Sequence, residues 1–254
     1  MRGVVTLKSA GEIERMRASG KVVAEVLDAL GAEIRPGIAT VELDRLAESI
    51  IRGHEGARPA FKGYGGFPAS ICASVNEEVV HGIPSESRRL ESGDIVGIDV
   101  GVLMDGYHAD AARTFAVGEV SGETRRLLEV TQAALEAGID AARARARLGD
   151  VSAAIQAVAE SAGFSIVRDL VGHGIGQHLH EDPQVPNFGV EGRGLELEAG
   201  LVLAIEPMVN LGGAEVRTLE DAWTIVTIDS SLSAHFEHTV AITENGPDVL
   251  TRVA

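Results

Sequence analysis

Residues 94–117 read Asp94-Ile-Val-Gly-Ile-Asp99-Val-Gly-Val102-Leu-Met-Asp105-Gly106-Tyr107-His-Ala-Asp110-Ala-Ala-Arg-Thr-Phe-Ala-Val117. Asp94 to Val102 and Tyr107 to Val117 have the composition of two strands, and Asp105-Gly106 between them is a strong turn dipeptide. Asp99 and Asp110 interrupt these strands, which costs strand propensity and packing unless the acids have a task. With a two- or four-residue hairpin loop they fall on the same sheet face, directly opposed or diagonal. The bland alternative is that each acid meets solvent on a half-exposed sheet.

Working outward, Ser9 and Glu12 form a capping box ahead of Ile13, Met16, Val23, Val26, Leu27 and Leu30, which repeat at helical spacing up to about Gly31. After Arg35-Pro36-Gly37, Thr40 can cap a second helix striped by Leu43, Leu46, Ala47 and Ile50 and ending near Gly53. Gly63, Gly65, Gly66 and Pro68 mark a loop before the apolar segment Ile71 to Val80. Two more helices are expected over Glu123 to Ala146 and Val151 to Ala162, the latter introduced by Gly149-Asp150. Arg143, Arg145 and Arg147 read as charges that neutralise a helix end. Strand patterns follow at Val167 to Val171, Leu201 to Ile205, Trp223 to Asp229 and Phe236 to Thr243. No Pro/Ser-rich linker divides these parts, so one α+β domain over 1–254 is expected, its helix-helix-strands order given twice.

Three further chemistry-bearing residues stand in distinctive surroundings. His173 lies in Val171-Gly-His-Gly-Ile-Gly176, straight after an expected strand, where glycines let backbone approach a ligand closely. A glycine-rich phosphate cradle and a plain turn are the rival readings, but the run is not G-x-G-x-x-G and no clear helix follows. Glu206 precedes Pro207 at a strand end, and alternation in Phe236-Glu237-His238-Thr239-Val240 puts Glu237 opposite the apolar face. Alone, each glutamate reads as a solvated strand residue.

Together, four carboxylates and one imidazole cannot be buried without cations. Two divalent ions and a bridging hydroxide leave such a cluster near neutral. A metal pair about 3.5–4 Å apart lowers the pKa of a shared water and polarises a carbonyl, the arrangement of metal-assisted hydrolysis. The oxygen-rich donor set suits Mn, Co or Fe better than structural zinc. His81, in Val80-His-Gly-Ile-Pro84, and His180, in Gly176-Gln-His-Leu-His-Glu-Asp-Pro183, are histidines suited to binding a substrate carbonyl and a leaving nitrogen. His54, His108, His178 and His235 read as structural or surface residues.

Composition narrows the partners. A net charge of -16 argues against nucleic acid or an anionic membrane. The single cysteine, Cys72, excludes an internal disulfide framework and fits a reducing compartment. The opening MRGVVTLKSAGEIERM brings charges too early for a signal peptide, and no window reaches the apolar length of a membrane span, so a cytoplasmic protein is expected. There is no G-x-S-x-G elbow, H-E-x-x-H helix, Walker loop or C-x-x-C pair.

The strings Ser70-Ile-Cys72, Val75-Asn-Glu77, His81-Gly-Ile-Pro84, Ile98-Asp-Val100, Gly172-His-Gly-Ile-Gly176, His180-Glu-Asp-Pro183, Ile205-Glu-Pro-Met208 and Phe236-Glu-His-Thr239 resemble, essentially end to end, the type I methionine aminopeptidases of the pita-bread metallohydrolases. The resemblance implies two related halves with antiparallel sheet covered by helices. It implies Asp99 on one metal, His173 and Glu206 on the other, and Asp110 and Glu237 bridging. Glu206 would shuttle the proton of the metal-bound water, His180 would sit near the scissile carbonyl and His81 near the peptide nitrogen. A methionine pocket is implied around Tyr64, Phe67, Cys72, His81 and Trp223, although Trp223 alone also reads as core. The implied substrate is the N-terminus of a nascent polypeptide with a small second residue, met near the ribosome by a monomeric enzyme. Leu179, Gly101 and Gly65 replace the commoner aromatic, threonine and histidine of that family, and none of them is a ligand. Proline-specific aminopeptidases share the metal set but usually carry a large N-terminal domain. A binding module that has lost its chemistry would not keep all five ligands and both histidines.

Overall fold

The computed structural model describes residues 5–252. Helix α1 (Ala10–Glu33) starts where the Glu12 carboxylate accepts from both the backbone N–H and the hydroxyl of Ser9, and it buries Met16, Val23, Val26, Leu27 and Leu30 along one face. Helix α2 (Thr40–Gly53) begins at its expected cap, with Ala39 taking the cap position instead. Thr40 is already helical, Glu42 holds the Ala39 N–H at 3.2 Å, and the Thr40 hydroxyl is spent on Ser85.

The strands of this first half are β1 (Arg58–Pro59), β2 (Ile71–Val75), β3 (Glu78–Val80), β4 (Ile95–Met104) and β5 (Tyr107–Ala116). Strands β1, β4 and β2 pair in that order, and β5 adds to β4, antiparallel throughout. Asp105 and Gly106 both have positive φ, 50° and 80°, as a two-residue type I′ hairpin requires. Met104 therefore faces Tyr107, Asp99 faces Ala112 and Gly101 faces Asp110, so the two acids lie diagonally on one face.

The second half repeats the order. Helix α3 (Gly122–Ala141), capped by Ser121 on the Thr124 N–H at 3.0 Å, packs against α4 (Leu148–Ser161). It ends five residues before the expected Ala146, because Arg145 turns to φ 73° and the backbone N–H groups of Arg145 and Leu148 go to carbonyls of Leu197 and Leu195. The Arg143 guanidinium binds the Asp140 carbonyl at 2.8 Å, closing the helix as its charge suggested.

The remaining strands are β6 (Ser165–Ile166), β7 (Val171–Gly174), β8 (Glu181–Pro186), β9 (Val202–Ile205), β10 (Met208–Asn210), β11 (Val216–Thr218), β12 (Ile225–Thr227), β13 (Ser233–His235), β14 (His238–Thr243) and β15 (Gly246–Val249). The expected strand Val167 to Val171 does not form: the chain bends at 168–170 to pass from the β13-β10-β6 sheet to the five-stranded antiparallel sheet β15-β14-β9-β7-β8. The alternation read into Phe236 to Thr243 also fails, since β14 is buried on both faces through Val240, Ala241 and Ile242.

Two threonines sew the halves together. The Thr239 hydroxyl accepts from the Asp110 N–H at 2.9 Å and donates to the Asp110 carbonyl at 2.8 Å; Thr114 does the same for His235, at 2.9 and 2.8 Å. Between them the Glu237 N–H donates to the Ala112 carbonyl at 2.9 Å. The seam thus runs along β5 and the start of β14, which is where the acids stand.

Candidate metal centre

Each candidate donor stands in a strand or at a strand end. Asp99 and Asp110 come from the β4-β5 hairpin, and His173 lies within β7 rather than after it. Ile205 pairs with His238, so Glu206 and Glu237, one step beyond, leave the ends of β9 and β14 side by side. A Cβ on Gly172 would meet the Ala204 carbonyl at 2.4 Å, and one on Gly174 the Asp182 carbonyl at 2.3 Å. The glycines flanking His173 are therefore demanded by the neighbouring strands, not by a ligand.

All five converge. Asp110, His173 and Glu237 offer donor atoms within 4.8 Å of one another. His173 Nε2 stands 3.6 Å from Glu206 Oε1, and Asp99 and Asp110 lie close enough for each to perturb the other's ionisation. His173 Nδ1 lies 2.9 Å from the Gly174 carbonyl, which can only accept, so Nδ1 carries the proton and Nε2 presents a lone pair to the cluster.

Burial dominates the electrostatics. It lifts Glu206 to about 8 and Asp110 to about 7, and pushes Asp99 and Glu237 well above the usual carboxylate range, helped by the neighbouring acids. It also drives His173 and His81 down to about 4. Asp99 Oδ1, Asp110 Oδ1 and Glu237 Oε1 are buried without any hydrogen-bond partner. Buried carboxylate oxygens left unsatisfied, beside a neutral imidazole with its lone pair free, are what divalent cations complete.

A cavity of about 190 Å³ opens above the cluster, and every residue expected at the site lines it. The carboxylates and His173 form one side; Phe61, Phe67, Cys72, Leu179 and Trp223 supply apolar wall. Phe67 meets Trp223 edge to face at 5.1 Å. Burial raises the Cys72 thiol further, leaving it neutral and apolar in character. His81 holds φ 61°, an uncommon conformation for a non-glycine residue and one that marks functional sites. The Tyr64 hydroxyl engages His180 Nδ1 at 2.8 Å.

Of the family departures, Gly65 stands close under Trp223, where a Cβ would lie 3.2 Å from the ring, and a Cβ on Gly101 would press on Phe61 at 2.5 Å. Sequence reasoning missed His235, read as structural or surface: it is buried, with Nε2 3.5 Å from Glu206 Oε2. Strand parity with Glu237, two residues on, was the available signal. It also missed Thr239, Thr114 and Asn187, whose side-chain amide donates to the Glu206 carbonyl at 3.0 Å; nothing local distinguishes them.

Residues 14–244 match the model of metallopeptidase family M24. The chain is 55% identical to a methionine aminopeptidase of Clostridium perfringens over 98% of its own length and 100% of that protein's. It superposes on the crystal structure of the Thermotoga maritima methionine aminopeptidase with a TM-score of 0.97 at 47% identity, covering 98% of this chain and 100% of that one. A prolidase from Pyrococcus furiosus, 24% identical, shares the fold with a TM-score of 0.79, but 98% of this chain spans only 66% of that one.

Proposed function

The chain belongs to metallopeptidase family M24 and to its methionine aminopeptidases, and on that premise we propose that it removes the N-terminal methionine from polypeptides whose second residue is small, using two divalent cations. One observation carries the reading: a small cavity, apolar on one side, whose other side is four carboxyls and an imidazole able to ligate metal, with three carboxylate oxygens lacking any partner.

Asp99 would hold one cation, His173 and Glu206 the other, and Asp110 and Glu237 both; the donor set favours Mn, Co or Fe. When bound, the cations supply a Lewis acid for the scissile carbonyl and a water acidic enough to attack at neutral pH. The methionine side chain enters between Phe67, Cys72 and Trp223, and its α-amino group faces the acids. His180, with Nδ1 taken by Tyr64, keeps Nε2 for the carbonyl oxygen. His81, neutral at physiological pH because burial holds it near 4, faces the peptide nitrogen. Glu206 takes the proton of the attacking water on a carboxylate oxygen and passes it to the leaving amine. A larger second residue meets the crowded mouth and is rejected.

No helix among the described residues is long and apolar enough to cross a membrane. The proposal includes a monomeric enzyme acting in the cytoplasm on chains close to the ribosome. The test is release of free methionine from Met-Ala-Ser and Met-Leu-Ser, before and after chelation and Mn²⁺ restoration. Release from the first, slow release from the second and loss on chelation are expected. Equal rates, metal independence, or preference for Xaa-Pro peptides would overturn the reading.

A further inference from the structure

Outside the metal cluster, one buried ion pair has no part in the chemistry so far described. Lys8, its side chain 2% exposed, reaches Glu181 Oε2 at 2.6 Å, and Glu181 is nearly as buried at 11%. Ions this deep are retained only where the geometry is tight and the remaining polar atoms are satisfied. Here they are: Lys8 Nζ also donates to the Thr6 carbonyl at 3.0 Å, and Glu181 Oε1 accepts the His178 N–H at 3.1 Å. Lys8 is itself anchored, its backbone N–H donating to the Gly200 carbonyl at 2.7 Å. Any side chain at Gly176 would strike both partners, since a Cβ there lies 2.5 Å from Lys8 Cε and 2.7 Å from Glu181 Oε1. The pair therefore packs against the start of the loop 176–181 and holds its end through Glu181 and the His178 N–H, and that loop carries His180.

His180 has little else to hold it. Its ring touches the Tyr64 hydroxyl, which is itself exposed, and stacks obliquely on His173 at 4.3 Å between centroids. We propose that the Lys8–Glu181 ion pair is a positioning device for His180, a tie from the segment ahead of α1 that sets where Nε2 meets the scissile carbonyl. Neither residue touches substrate; they act through the loop. The inference rests on the role given to His180 above.

The experiment is a double-mutant cycle on metal-loaded enzyme. Lys8→Met with Glu181→Gln removes both charges together, so no lone buried ion is left to unfold the chain. It is measured against the original protein, against His180→Ala, and in combination with His180→Ala, using a Met-Ala-Ser peptide. The expected result is about a tenfold loss of kcat with KM within about twofold, since a misplaced group costs rate more than ground-state binding. In the His180→Ala background the same change should cost less than about twofold, because the two act as one unit. Amide hydrogen exchange at His178 should quicken while that of β4 and β5 stays unchanged. An equal loss of kcat with and without His180, no loss at all, or unaltered exchange at His178 would each overturn the proposal. If His180→Ala alone leaves kcat intact, the assigned role of His180 fails instead, and the exchange result still decides whether the pair holds the loop.

Discussion

The two halves of the molecule build their share of the site by opposite means. In the first, Asp99 and Asp110 sit inside one long regular hairpin, ten residues a side, with a two-residue turn and no slip in register. In the second, His173, Glu206 and Glu237 come from three short strands or their ends, and the β7-β8 pairing shifts register right after His173. A regular ladder fixes two of the proposed donors with one decision, the turn, whereas the irregular half needs a separate constraint for each of its three. Those constraints are the backbone-tight glycines at 172 and 174, Pro207 and the two threonine stitches.

The sharpest way to break this comparison is to take one donor from each half. Asp99→Asn and Glu237→Gln should each lower kcat by about a thousandfold or more, as expected when several kcal/mol of metal-borne stabilisation is lost. Neither should lower the melting temperature of the metal-free protein, because each replaces a buried acid that is costly to ionise among its neighbours with a neutral amide of the same shape. Steady-state kinetics with calorimetry would show it. Activity within tenfold for either variant would mean that half contributes shape but not chemistry.

That asymmetry also explains what was legible in the chain beforehand. Parity plus Asp105-Gly106 suffices to put Asp99 and Asp110 on one face, and their diagonal offset follows once the turn has two residues. The family strings carried the other expected site residues, all of which line one cavity. What local pattern misjudged lies in the irregular half. Helix α3 is cut short by hydrogen bonds to a loop some fifty residues on, and β14 loses its alternation because both its faces are covered. His235 and Thr239 owe their importance wholly to partners in β5 or to Glu206, far off in the chain. A 3.6 or 2.0 period records what a single element buries, not which elements meet.

The first helix of each half offers the next comparison. Gly20 of α1 lies against the Leu250 backbone, where a Cβ would be 2.2 Å from the carbonyl oxygen; Gly138 of α3 lies against Ile155, 2.7 Å from a flexible side chain. Gly20→Ala should destabilise by about 3 kcal/mol, since backbone cannot step aside. Gly138→Ala should come out within about 1 kcal/mol of neutral, because Ile155 can shift and alanine gains helix propensity. Denaturant titration decides, and equal costs would mean α1 is no more tightly seated than α3.

The threonine stitches should follow, at about 2 kcal/mol each for Thr239→Val and Thr114→Val, the cost of leaving a buried N–H without its acceptor. Thr239→Ser, which keeps the hydroxyl, should recover most of it. If both valine variants are neutral, the β5 to β14 seam is held by Ala112 and Glu237 alone.

The last effect expected is a trend with pH in the metal-free protein, and it separates the carboxyls from the imidazoles. Asp110 rises from its ordinary 3.8 to about 7 and Glu206 from 4.5 to about 8 in the folded chain. Folding thus retains protons the unfolded chain has released, and the stability this gives is complete below pH 3.8 and lost as pH climbs through 8. His81 and His173 fall from 6.5 to about 4 and His235 to about 3, so their contribution has the other sign, vanishing as pH drops from 6.5 toward 3. Below pH 6.5 the two sets oppose each other, and above it only the carboxyls still titrate. With chelator present, the melting temperature should therefore decline from pH 6.5 to about pH 9. With Mn²⁺ it should hold or rise, because cations bind the deprotonated acids and are favoured as protons leave. Glu206→Gln should flatten the metal-free decline and His81→Gln should leave it unchanged. A metal-free melting temperature that stays level across this range would mean the acids are ionised and paired with something other than protons, and the charge argument for the cations would lose its footing in both halves at once.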